Sequence, residues 1–157
     1  MTDRLEVRKT YKLFIGGAFP RSESGRTYEV LAADGSFLVN AALASRKDGR
    51  NAVVAARKGF ASWSGATAYN RGQVLYRVAE LMEGRRDQFV AEVASAGVSA
   101  DQAVAEVDAA IDLWVWYAGW TDKLAQVLGS ANPVAGPYFN FSLPEPTGVV
   151  VSGTKVP

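Results

Sequence analysis

Cysteine and histidine are both absent from this 157-residue chain. Without a thiol no disulfide can form, so nothing in the sequence demands an oxidising compartment. The two absences together exclude a thiolate nucleophile, an imidazole base, a Ser-His-Asp triad and a Cys/His zinc site. Long apolar runs are missing as well: each hydrophobic stretch is broken by polar residues before membrane-spanning length. The opening "MTDRLEVRKTYKLFIGG" is charged through its first dozen residues, unlike a signal peptide. These features predict a cytoplasmic chain with no membrane partner. They also make the glycosylation pattern at Asn140-Phe141-Ser142 idle. An excess of charge of either sign is lacking too. With 17 basic residues against 16 acidic and a net charge of +1, no broad field is expected, and nucleic acid is not an expected partner.

What is present is an ordinary globular composition, 48% hydrophobic and 21% charged, long enough to bury a core. Tyr11, Leu13 and Ile15 alternate with Lys12 and Phe14 before Gly16-Gly17, and Ala18-Phe19 starts a return, which is a hairpin signal. Arg26 to Leu31 and Phe37 to Ala42 read as two further strands joined around Asp34-Gly35. The first forty or so residues therefore read as a small antiparallel β unit.

The character changes at Ser45. Ser45 with Asp48 has the spacing of a helix cap, and Val53, Val54, Ala56, Arg57 and Phe60 continue at helical spacing toward Trp63. A loop is expected over "SWSGATAYN". Beyond it Val74, Leu75, Val78, Leu81 and Met82 form an apolar stripe, interrupted at Gly84. A short helix carrying Phe89, Val90 and Val93 should stop at Gly97. Ser99 with Gln102 has capping-box spacing and opens the last helix, closed by Gly129 and Pro133.

Three of the chain's four tryptophans fall in "DLWVWYAGWTDK", Asp112 to Lys123. Leu113, Trp116, Tyr117, Trp120 and Leu124 form one stripe along this helix, and Val104, Val107, Ile111, Trp114 and Ala118 form a second beside it. Only a narrow polar edge is left, through Glu106, Asp108, Asp112 and Lys123. No polar groups converge on the stripes to orient a ligand, so the aromatics read as core rather than as a cofactor box. Each large aromatic buries about 150–250 Å². Covering both stripes asks for more surface than a hairpin and three short helices readily provide.

On these residues the sequence resembles the N-terminal portion of the aldehyde dehydrogenase superfamily. "AIDLWVWYAGWTDKL" is similar to the family's long helix ending in Tyr-Ala-Gly-Trp-x-Asp-Lys. "YKLFIGGAFPRSESGRTYEV" resembles the opening strands, and "AVVAARKGFASWS" the segment Ala-Val-x-Ala-Ala-Arg-x-Ala-Phe-x-x-Trp. "RGQVLYRVAELMEGRRDQF" resembles the next helix pair, and "PYFNFSLPEPTGVV" the strand pair ending in Glu-Pro-x-Gly-Val-Val. The motifs run in the family's order from about Tyr11 to Val150.

The departures concern chemistry. Where members follow Gly-Val-Val with Pro-Trp-Asn-x-Pro, whose asparagine helps hold the oxyanion, this chain reads "GVVVSGTKVP". Glu92 and Gly97 fit Glu-Thr-x-x-x-Gly-Lys, but Val98 stands where lysine is usual, and Ala32-Ala33 stands where an Asn-Pro turn is common. No position matches the family's dinucleotide cradle, its general-base glutamate or its nucleophilic cysteine. The resemblance therefore implies no catalytic, cofactor-binding or metal-binding residue here and no cofactor for this chain, although full-length relatives use NAD or NADP.

Two local patterns are rejected on physical grounds. Gly148 to Lys155, "GVVVSGTK", echoes a phosphate loop but has Thr154 before Lys155 and no helix start to hold phosphate. Asp108 and Asp112 lie at i, i+4 on the polar edge and read as a solvated face, not an acid/base pair. Arg85 and Arg86 read as surface, or as partners for Glu83 and Asp87.

The expected fold is an α/β family fragment: an antiparallel β unit at 1–44, a helical layer at 45–132, a strand pair at 133–151 and a tail at 152–157. About four helices are expected, the last spanning about 99–128. The resemblance implies that the helical layer matches part of a nucleotide-binding domain, and that the strand pair at 137–151 matches an oligomerisation arm. The leading expectation is a truncated relative, inactive in isolation. Alternatives are a non-catalytic subunit docking on itself or on a full-length aldehyde dehydrogenase through that arm and the aromatic helix, and an unrelated small-molecule binding domain.

Overall fold

The computed structural model describes residues 8–153, so the ends of the expected N-terminal unit and tail, 1–7 and 154–157, lie outside the described residues. Two strands form where alternation placed them. β2 (Thr27–Leu31) pairs antiparallel with β3 (Phe37–Ala42). Their connection turns at Gly35, with φ +82°, and the Asp34 carboxylate accepts the Ser36 N–H at 2.9 Å.

The first strand departs from expectation. β1 is only Thr10–Tyr11, and it pairs parallel with β3, giving the order β1-β3-β2. The unit is therefore mixed rather than antiparallel. At Gly16-Gly17 the chain reverses with φ of 60° and 81°, and Ile15 and Ala18 exchange hydrogen bonds of 3.0 and 3.2 Å. That hairpin stops after one bridge, and β1 takes the free edge of β3 instead.

α1 (Arg46–Gly65) starts in the reciprocal cap that the spacing predicts: the Asp48 N–H donates to Ser45 Oγ at 3.2 Å, and the Ser45 N–H donates to Asp48 Oδ2 at 2.9 Å. The helix continues through Trp63, so the expected loop shrinks to Ala66-Thr67. Thr67 Oγ1 accepts the Asn70 N–H at 3.2 Å and opens α2 (Ala68–Glu83). The Arg71 guanidinium donates to the Ser64 carbonyl at 3.5 Å and to that of Ala66, satisfying groups the end of α1 leaves open. α3 (Arg86–Ser95) follows Gly84. Beyond its end lies Gly97, whose φ of +101° and proximity to the Ala33 methyl leave no room for a Cβ.

α4 (Ala100–Trp120) opens at Ser99, whose Oγ accepts the Gln102 N–H at 3.2 Å as expected. The single last helix does not reach 128. At Thr121 and Lys123 the N–H groups bond carbonyls three residues back, Ala118 at 3.4 Å and Trp120 at 3.1 Å, and Thr121 Oγ1 also donates to Ala118 O at 3.0 Å. This tightened turn separates α5 (Leu124–Leu128), so among the described residues five helices stand where about four were expected. β4 (Ser130–Asn132) then pairs antiparallel with β5 (Asn140–Ser142). The strand pair thus begins before 137 and ends at 142, and residues 143–153 carry no strand.

The described chain divides into two compact units: one runs to Phe60 and takes in Ser95–Gly97, and the other holds Ala61–Ala94 and the chain from Val98 onward. Their charges differ in sign. Residues 1–60 carry 11 basic and 6 acidic groups, whereas residues 61–157 carry 6 basic and 10 acidic groups. The near-neutral total conceals this division.

Candidate functional site

In the second unit the two stripes of α4 meet different fates. Val107 and Ile111 are buried with Ala79 of α2, and Met82, Val90 and Val93 pack around them. α2 approaches α4 closely at Gly72, where a Cβ would lie 2.7 Å from Thr121 Oγ1. The other stripe is largely uncovered among the described residues, with Trp120 only half-buried. Trp116 is 54% exposed, Tyr117 52% and Leu128 of α5 62%. The expectation of an aromatic core is therefore not met here, because α2 reaches only the Val107–Ile111 side.

The uncovered aromatics are ordered among themselves. Trp116 meets Tyr117 edge-on, with centroids 4.9 Å apart, and Trp120 lies 5.3 Å away at 52°. With Thr121, Leu124 and Leu128 they line an open apolar hollow of about 500 Å³. The bend at Thr121 swings α5 so that Leu124 and Leu128 close one side of it. Such a lining is almost wholly apolar, with the Tyr117 and Thr121 hydroxyls its polar groups and no ionised side chain.

The polar edge behaves differently from its reading. Asp108 does not act with Asp112; it takes a two-pronged ion pair from Arg86, Nε to Oδ1 at 2.6 Å and Nη2 to Oδ2 at 2.8 Å. The Arg86 hydrogen bond holds the Asp108 carboxyl below the usual range, and the Asp108 hydrogen bond in turn raises Arg86. Arg86 reaches the adjacent Asp87 only at 3.9 Å, and Arg85 donates to the Gln88 side chain. The pairing links residues 22 positions apart, and no local spacing in the sequence signals it.

In the first unit the buried side chains are polar, Ser22 at 6% and Asp48 at 5% exposure. Ser22 Oγ donates to Asp48 Oδ2 at 2.7 Å, and the Glu23 N–H donates to Oδ1 at 3.3 Å. These bonds, led by that from the Ser45 N–H, lower the Asp48 pKa. The sequence revealed only the Ser45 half of this arrangement. Every polar atom of Asp48 is satisfied, which makes it a clasp between the loop at Ser22 and the start of α1. Among the described residues no cluster of His, Cys, Asp or Glu could hold a metal ion, and no helix is long and apolar enough to cross a membrane.

Comparison with known proteins places this architecture. Residues 19–153 match the aldehyde dehydrogenase family model. The chain is 34% identical to the cytosolic 10-formyltetrahydrofolate dehydrogenase of Mus musculus over 98% of its own length and 18% of that protein's. Among solved structures it resembles a salicylaldehyde dehydrogenase from Pseudomonas putida G7, with TM-score 0.80, 26% identity and coverage of 89% of this chain and 29% of the other. It also resembles an NAD-dependent benzaldehyde dehydrogenase from Corynebacterium glutamicum, with TM-score 0.74, 27% identity and coverage of 81% and 28%. The chain spans less than a third of each of these relatives. The chain belongs to the aldehyde dehydrogenase family.

Proposed function

We propose that this chain serves as a non-catalytic portion of an NAD(P)-dependent, aldehyde-oxidising fold, whose remainder covers the face of α4 and α5. The observation that carries this reading is the exposed stripe of Leu113, Trp116, Tyr117, Leu124 and Leu128, all more than 40% exposed. Contiguous apolar surface on this scale marks an interface. The occupant is taken to be the rest of the same fold, since the relatives extend over three times the length matched here. No dehydrogenase activity is expected from the 157 residues alone, because none of them is a cysteine that could attack a carbonyl.

Docking on a full-length relative is the second form of the same reading. It is favoured by β4 and β5, a two-stranded ribbon with open outer edges and the exposed pair Phe139 and Phe141 at 5.3 Å. The expected arm at 137–151 supplies only β5 of this ribbon.

The test combines light scattering after size-exclusion chromatography with an assay for NAD reduction. The purified chain should self-associate alone, should become a defined soluble complex when co-expressed with a full-length family member, and should reduce no NAD with benzaldehyde. NADH production by the pure chain would overturn the inactivity. A well-behaved monomer that ignores the relative would overturn the docking.

A further inference from the structure

The first unit contains a cavity that the aldehyde dehydrogenase reading leaves without a role. It measures about 230 Å³ and opens beside the sheet, where Thr10 of β1, Thr27 of β2 and Ala42 of β3 line it. Thr27 and Ala42 are register partners across the antiparallel pair. Thr10 is paired with Asn40, two residues before Ala42 and therefore on the same face of the sheet. At Ala42 the central strand carries only a methyl group, with Thr27 directly across on β2 and Thr10 two residues along on the β1 side.

Three cations border the same cavity: Lys12, Arg21 and Arg26. Among the described residues no carboxylate lines it. The acidic groups of the unit's described residues are all engaged elsewhere. Glu23 holds Lys47 at 3.2 Å, and Glu29 faces Arg8 at 3.6 Å. Asp48 is consumed by Ser22, Ser45 and the Glu23 N–H, and Asp34 by its own turn at Ser36. Ser22 also borders the cavity, but its proton is committed to Asp48 at 2.7 Å, so its oxygen offers no donor. Three like charges gathered around one hollow repel one another, and a bound anion converts that repulsion into attraction.

We propose that this cavity is a binding site for a small phosphate-bearing anion, with Arg21, Arg26 and Lys12 supplying the charge and the Thr10 and Thr27 hydroxyls the neutral donors. The guanidinium fork matches two oxygens of a phosphate, whereas the lysine acts as a compact point charge. The volume is below the range of sites for drug-sized ligands, so the recognised group is the phosphate itself or the phosphate end of a small monoester. The excess of 11 basic over 6 acidic residues in 1–60 strengthens the local potential for any such anion.

The site is tested by titration calorimetry on the full 157-residue chain at low ionic strength, using inorganic phosphate and phenyl phosphate in separate arms. Saturable binding at one site is expected, weakening as salt rises. Tighter phenyl phosphate would identify a monoester as the ligand, and tighter inorganic phosphate the free ion. Arg21→Gln and Arg26→Gln should each lower affinity about tenfold, the loss of one charge-assisted contact. Ala42→Glu, which fills the hollow with a negative charge, should abolish binding. Arg50→Gln and Lys58→Gln, on the same unit but outside the lining, should leave it unchanged, and circular dichroism should show each variant folded. Absence of saturable binding, or equal weakening by the Arg50 and Lys58 variants, would overturn the proposal. The outcome is independent of dehydrogenase activity and of docking at the tryptophan face.

Discussion

The two units of this chain solve the problem of an interior in opposite ways. In the second, apolar side chains meet across helices, and Ala79, Val107 and Ile111 are closed off from water. In the first, the most buried side chains are a serine and an aspartate, tied to each other and to backbone N–H groups. One unit is basic and the other acidic. The helical unit has more apolar surface than it can cover and leaves half of α4 bare. The strand unit also leaves Phe14, Phe19, Tyr28 and Leu31 exposed, and what it buries most deeply it closes with hydrogen bonds. Non-directional packing tolerates a missing partner by leaving surface open, whereas a polar clasp must be complete before it is worth burying.

The largest effect that separates the units should come from Ile111. Replacing it with alanine removes buried methyl groups where α2, α3 and α4 meet, a change that costs about 2–5 kcal/mol in comparable cores. Urea unfolding followed by tryptophan fluorescence should show the loss, and amide exchange should place it in residues 68–120 while leaving the strands of the first unit protected. Equal loss of protection in β2 and β3 would mean the units do not unfold separately.

A smaller effect, of different character, is expected at Asp48. Its folded pKa lies below the ordinary value of 3.8, so the clasp stabilises the fold fully above that value and is lost as pH falls through the depressed one. Acid titration should therefore loosen the first unit below about pH 4; in the second unit the Arg86–Asp108 pair weakens in the same direction, whereas the apolar contact of Val107 and Ile111 does not titrate. Asp48→Asn should flatten that acid dependence and lower stability at neutral pH, because an amide cannot accept from both N–H groups and the hydroxyl as the carboxylate does. An unchanged acid profile in the variant would show that another carboxylate controls the transition.

The parts of this arrangement that were legible in the sequence are those fixed by neighbours a few residues apart. The caps at Ser45 and Ser99, the stop at Gly97 and the strands ending in Leu31 and Ala42 all follow from spacing or from a required φ. The parts that were not legible depend on distant partners. Alternation marks Tyr11 as extended, but it cannot say that the open edge of β3, thirty residues away, will be taken in parallel. The pattern through Trp120 continues smoothly into Leu124, so the break at Thr121 is invisible until its hydroxyl is seen on the Ala118 carbonyl. Asp108 reads as solvated because Arg86 belongs to another helix. The candidate site was half legible: periodicity showed two apolar stripes, and only the fold shows which one α2 covers. Net charge hid the opposed signs of the two units, since a sum over the chain discards where the charges sit.

The smallest expected effect on stability sharpens the contrast within α4 itself. Trp116 is larger than Ile111 and lies five positions further along the same helix, yet more than half of it faces water. Replacing it with glutamine gives up little burial in the isolated chain, so the change in unfolding free energy should stay within about 0.5 kcal/mol. The same replacement should reduce self-association and weaken capture by a full-length family member, because a tryptophan at the centre of an apolar patch is the kind of residue whose loss dominates binding. A variant that unfolds as readily as Ile111→Ala would mean that the chain covers this face by itself, and the case for an external partner would fall. A variant of unchanged stability with lost association would separate the two stripes cleanly, one built for this chain's own core and the other for a surface it meets elsewhere.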